Sequence, residues 1–129
     1  MQQTSSTLKI LKASWGIHIS VEGQAVKSAS KRFALDLAFD FPKLSMEEMM
    51  WLQKGFNRMV RPVFNKSGHI WQVSITSLGI IPTDYQEEGL YYAMALWMAE
   101  HFELDLPDFP CHFDARTNRY VFPELDQGI

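Results

Sequence analysis

The chain has 129 residues, of which 47% are hydrophobic, 21% charged and 13% aromatic, with seven Gly, six Pro and one Cys. This is enough for one core and too little for two; the composition excludes a disordered or fibrous chain, and the lone Cys111 excludes an intrachain disulfide. A formal charge of −3 argues against a surface built throughout to neutralise phosphates.

The opening residues 1–7 lack the basic segment and apolar run of a secretory signal, and they read as a disordered leader before a single α+β domain over 8–129. Ile17, Ile19 and Val21 alternate with His18 and Ser20, the period of a half-buried strand. Residues 24–32 are small and basic and read as a mobile loop. From Phe33 to Phe41 apolar residues occupy every second place, which predicts a strand ended by Pro42. Ser45 and Glu48 form a capping box that opens a helix, with Met49, Leu52, Phe56, Met59 and Val60 as its apolar stripe and Pro62 as its stop. Gly55, at a cost of about 1 kcal/mol relative to Ala inside a helix, implies close approach to another backbone.

Lys66-Ser67-Gly68 is a turn, and Trp71, Val73 and Ile75 line one face of a third strand that Gly79 and Pro82 break. Asp84 with Glu87, or Thr83 with Gln86, caps a second helix whose stripe is Leu90, Tyr91, Met94, Trp97, Met98 and Phe102. Its nearly apolar run, Leu90 to Ala99, is half the length needed to cross a bilayer. After a proline-marked connector, residues 112–122 close the chain as a hairpin around Asp114 to Asn118. This order predicts a two-layer α+β sandwich, a mostly antiparallel sheet with two helices packed on one face.

Charge is unevenly spread along the chain. Residues 1–66 hold ten Lys and Arg against five acids, net +5, and residues 67–129 hold two against ten, net −8. Interleaved halves would mix these charges over one surface; segregated halves would make one anion-seeking and one cation-seeking face.

Catalytic patterns are absent from the sequence. It contains neither phosphate-binding glycine motif, and the adjacent Cys111 and His112 would point to opposite faces of a strand. His112 and Asp114 share a face that His101 could approach, but without the ligand spacing of a metal site. Asp36 and Asp40 stand about 13 Å apart by strand rise, too far for a retaining carboxylate pair. Trp51 falls off its helix's main stripe beside Met50, and a large apolar pair left there is a candidate partner-binding patch.

Val21-Glu22-Gly23, a basic loop with Lys27, the apolar strand at 33–41, Lys54-Gly55-Phe56, the strand at Trp71 to Ile75, Asp84 and the helix at Glu87 to Ala99 together resemble the fourth domain of translation elongation factor G over residues 20–103. Two places depart from that pattern: Ser28-Ala29-Ser30-Lys31 stands where the family has a glycine-rich loop, and Thr83 rather than His precedes Asp84. The resemblance implies that the loops at 24–32 and 79–86 are neighbours at one end of the domain. Their contact residues would be Lys27, Lys31 and Arg32 on one and Thr83, Asp84 and Tyr85 on the other.

The first expectation is a non-enzymatic cytoplasmic module that recognises a protein partner, of the small acidic inhibitor, immunity or assembly-factor type, with no cofactor and no metal. The alternative is a ribosome- or RNA-contacting accessory, with Lys27, Lys31 and Arg32 on phosphates and Tyr85 stacking on a base. An unrecognised small enzyme is third, and self-association through opposite charges is a further possibility.

Overall fold

The computed structural model describes residues 2–38 and 43–126. In β1 (Thr4–Leu11) Ser6, Leu8 and Ile10 are buried, and in β2 (Gly16–Lys27) Ile17, Ile19 and Val21 are, so their antiparallel ladder presents one apolar face. The leader expected over residues 1–7 is therefore strand from Thr4 onward. Its Ser and Thr residues hide the alternation, yet Thr4 is fixed from two sides: its carbonyl accepts from Trp97 Nε1 at 2.9 Å, and its Oγ1 bonds His101 Nδ1 at 2.7 Å. The loop expected over 24–32 is likewise strand as far as Lys27, because β4 (Trp71–Ile80) pairs with β2 from Ile19–Ile80 to Lys27–Trp71.

That pairing contains a bulge. Glu22 faces Ser77 while Gly23 faces Ile75, so Thr76 is the extra residue and donates to the Glu22 carbonyl at 3.2 Å. The bulge moves the buried phase of β4 from Val73 and Ile75 to Leu78. The strand then continues through Gly79, which lies opposite Ser20, rather than breaking there. β3 (Ala34–Leu37) pairs in parallel with the start of β4, completing a sheet of order β1-β2-β4-β3. The last part of the strand expected over 33–41, residues 39–41, lies outside the described residues, as do Pro42 and the candidate Asp40.

α1 (Met46–Ser67) buries Leu52, Gly55, Phe56, Met59 and Val63. It runs through Pro62 instead of stopping there. Pro62 is exposed and forfeits one backbone bond on the solvent side, while Val63 is buried beyond it and Gly68, at φ 73, closes the end with its N–H on the Phe64 carbonyl at 2.8 Å. α2 (Gly89–His101) is buried all round from Gly89 to Ala99 rather than along one stripe. The sheet strands β1 and β2 lie on one side of it, α1 on another, and Phe109 and Phe122 pack on Tyr92. Neither cap expected from Thr83 or Asp84 is used. The first N–H groups of α2 bond the carbonyls three residues back, Gly89 to Gln86, Leu90 to Glu87 and Tyr91 to Glu88.

The close approach expected at Gly55 is made with α2: a Cβ there would sit 2.2 Å from the Tyr91 carbonyl oxygen. The helices run side by side in the same direction, with Glu48 beside Tyr85 before α2 begins, Arg58 over the Tyr91 and Tyr92 rings, and Lys66 bonded to the Glu103 carbonyl after α2 ends. The hairpin of β5 (His112–Asp114) and β6 (Arg119–Val121) turns over residues 115–118, and α3 (Pro123–Asp126) ties back to α1 through an Arg58–Glu124 ion pair at 3.0 Å. The result is a two-layer α+β sandwich with α1 and α2 on one face of a mostly antiparallel sheet. No helix among the described residues is long and apolar enough to cross a membrane.

Candidate functional site

The start of α1 is built by its capping box: Ser45 Oγ accepts from Glu48 N at 3.0 Å, and Ser45 N donates to Glu48 Oε1 at 2.9 Å. Because Gly55 meets Tyr91, only two residues into α2, the first two turns of α1 overhang the helix beside it. Met49, expected in the buried stripe, is instead 41% exposed, beside Met46 at 81% and Met50 at 44%. Met46, Glu47 and Met50 line a shallow cavity of about 390 Å³. Trp51, next in the chain after Met50, is half-buried, meeting Tyr91 edge-on with ring centres 6.5 Å apart and carrying Lys54 Nζ 5.2 Å from its own ring centre.

Tyr85 joins this surface to the segment before α2, since its hydroxyl donates to Glu48 Oε2. Burial disfavours the charged Glu48, but the Ser45 N–H, the Tyr85 hydroxyl and the Ser45 side chain outweigh it and hold the carboxyl below its ordinary range. Tyr85 is pushed well up by burial, by its bond to Glu48 and by the charges of Glu48, Glu87 and Glu88, so it stays protonated. Asp84 serves the sheet: Oδ1 accepts from Gly16 N at 3.0 Å and its carbonyl accepts from His18 N at 2.9 Å. Thr83 is exposed. Gln86 is buried and reads the Tyr120 backbone in both directions, donating to its carbonyl at 2.6 Å and accepting from its N–H at 2.9 Å.

On the far side of Tyr85 a cleft of about 400 Å³ is lined by Trp15, Tyr85, Gln86, Glu87, Asn118 and Arg119. Trp15 Nε1 donates to Asn118 Oδ1 at 3.0 Å, and Arg119 reaches both Glu88 oxygens at 3.4 Å. Of these, only Tyr85 is a contact residue by the sequence, which leaves Trp15 open between core and surface. The methionines at the helix start carried a local signal, Met46-x-x-Met49-Met50 next to Trp51, whereas Trp15 and Asn118 are joined only by the fold.

The loops at 24–32 and 79–86 are not neighbours. Lys27 pairs with Trp71 and Ser28 N donates to the Ile70 carbonyl at one end of β4, while residues 81–88 leave its other end. Ten strand residues separate them, about 30 Å. Lys27, Lys31 and Arg32 are all exposed, and Ser28 and Ser30 bond each other beside them at 2.9 Å. Tyr85 therefore sits among carboxylates at the far end from the cations it was expected to accompany.

The histidines and the cysteine do not converge. His101, its pKa lowered by burial, stacks on Trp97 and bonds Thr4, while His112 is exposed on β5. Burial raises the Cys111 thiol in spite of the Lys12 ammonium, whose Nζ donates to the Cys111 carbonyl at 2.7 Å. Among the described residues no group of three or more His, Cys, Asp or Glu could hold a metal ion.

No protein-family model matches the chain, and no curated protein matches it. Among solved structures the fold is similar to part of the protein ttk003000868 from Thermus thermophilus, at 8% identity and a TM-score of 0.57, covering 76% of this chain and 15% of that one. At this identity the likeness concerns the fold alone.

Proposed function

We propose that the chain is a non-enzymatic cytoplasmic module that binds a protein partner through the start of α1. One observation carries this reading: Met46, Met49 and Met50 stand exposed on an overhanging helix start next to Trp51, with Glu47 and Glu48 in the same turn and Glu87 and Glu88 around the Tyr85 that bonds Glu48. Methionine adapts its shape to an apolar partner, and the carboxylates favour a partner whose own apolar face is flanked by basic side chains. The capping box and the Tyr85 bond hold this helix start in place, so little ordering is needed on binding.

The second reading, contact with RNA or the ribosome, rests on the resemblance of residues 20–103 to the fourth domain of elongation factor G and on exposed Lys27, Lys31 and Arg32. Tyr85, the ring expected to stack there, lies at the opposite end of the sheet from those cations, and the half-buried Trp71 opposite Lys27 is the aromatic beside them. The test is affinity capture from the native host with the wild-type chain and with a Met46→Ser, Met50→Ser variant, both checked for fold by circular dichroism. A partner held by the wild type and weakened at least about tenfold by the variant is expected. Equal recovery by both would overturn the assignment.

A further inference from the structure

The cleft between Trp15 and Tyr85 has the chemistry of a receptor for a positive charge. Its aromatic members are fixed in place: Trp15 is bonded to Asn118 and packs edge-on against Tyr120 at 5.1 Å, and the Tyr85 hydroxyl is committed to Glu48. Its floor is equally fixed, because both ends of the Gln86 amide are bonded to the Tyr120 backbone. Arg119 is offset by Glu88, which leaves Glu87 as a carboxylate with no ion-pair partner among the described residues. An anion entering here would face Glu87 with Glu48 and Glu88 near; a neutral polyol would leave Glu87 uncompensated. A guanidinium or ammonium group meets two aromatic side chains and an opposite charge together.

We infer that this cleft receives an arginine or lysine side chain of the same protein partner, held between Trp15 and Tyr85 with Glu87 as its counter-charge. The inference rests on the partner reading above and extends it: Tyr85 lines the cleft and its hydroxyl bonds Glu48 in the first turn of α1, so one bound segment can run from the methionines at the start of α1 to the cleft and place a basic side chain there. The volume of the cleft, about 400 Å³, lies within the usual range of sites for small ligands.

The test uses the four tryptophans of the full-length chain as separate reporters. Their indole N–H signals are followed by NMR while N-acetyl-arginine amide, or the neutral N-acetyl-glutamine amide, is added. Trp15 should shift saturably with the arginine compound and not with the glutamine one, Trp71 and Trp97 should stay still, and Glu87→Gln should weaken the binding by about threefold to fivefold, as loss of one partly exposed charge pair implies. A stationary Trp15, an equal response to the glutamine compound, or undiminished binding by the E87Q variant would each overturn the inference. Trp51 keeps the two readings apart. If Trp51 answers the captured partner while Trp15 ignores the arginine compound, the cation receptor falls and the methionine surface stands.

Discussion

A Cβ on Gly55 would lie 2.2 Å from the Tyr91 carbonyl oxygen and 3.1 Å from Met94 Cβ, so the spacing of α1 and α2 depends on this one missing side chain. In an exposed helix Gly→Ala gains about 1 kcal/mol from propensity, but here the helices must part to admit a methyl group. Overpacking of this kind costs about 1–3 kcal/mol or more, so Gly55→Ala should lower the urea midpoint; a raised midpoint would mean that α1 can shift freely. Tyr85 poses a different question, because its hydroxyl bonds a carboxylate held below its ordinary range. A group with a depressed folded pKa contributes stability above its unfolded value and loses it as pH falls through the folded one. Tyr85→Phe should therefore cost about 1.5–3 kcal/mol at pH 7, and the difference from wild type should narrow as acid protonates Glu48 in both proteins. Urea titrations at pH 7 and pH 3 check this, and a difference independent of pH would assign the effect to packing alone.

Strands with strict local alternation, such as Ile17 to Val21 and Trp71 to Ile75, were legible in the sequence, as were the Ser45–Glu48 cap and the final hairpin. β1 was not, because Thr4 to Thr7 carry no apolar period and become strand through pairing with Ser20 to Gly23. The start of α2 was hidden for a related reason: Gln86, a plausible cap by spacing, is taken by the Tyr120 backbone far along the chain. The candidate site was half legible. Trp51 and Tyr85 could each be singled out, but the bond from Tyr85 to Glu48, and the overhang that exposes Met49, depend on how Gly55 sets one helix against the other. The first strand supplies the test at this scale. A chain lacking residues 2–7 loses four rungs of the β1–β2 ladder and leaves the fully buried Trp97 indole N–H without its Thr4 acceptor. An unpaired buried donor alone costs about 1–3 kcal/mol, so thermal unfolding followed by circular dichroism should show a clearly lowered midpoint. An unchanged midpoint would restore the leader reading.

The two halves of the sequence, +5 and −8, interleave in space: β4 lies between β2 and β3, and α2 lies against β1, β2 and α1. What survives as segregation is local, a basic loop at one end of the sheet and carboxylates around Tyr85 at the other, about 30 Å apart by strand rise. Screening in physiological salt acts over about 8 Å, so each end presents its own field to an approaching molecule. Electrostatic steering of a basic partner should then depend on the carboxylates and not on the loop. Glu47→Lys, on the exposed first turn of α1, should slow association with the captured partner by about threefold to tenfold at low salt, with the gap closing as salt is raised. Replacing Lys27, Lys31 and Arg32 by Ala takes the formal charge from −3 to −6 and should leave that rate unchanged or slightly raised. Stopped-flow measurements at two salt concentrations decide between the ends: a partner lost with the basic loop and indifferent to Glu47 would move the binding surface to the opposite end of the sheet and favour an anionic partner such as RNA.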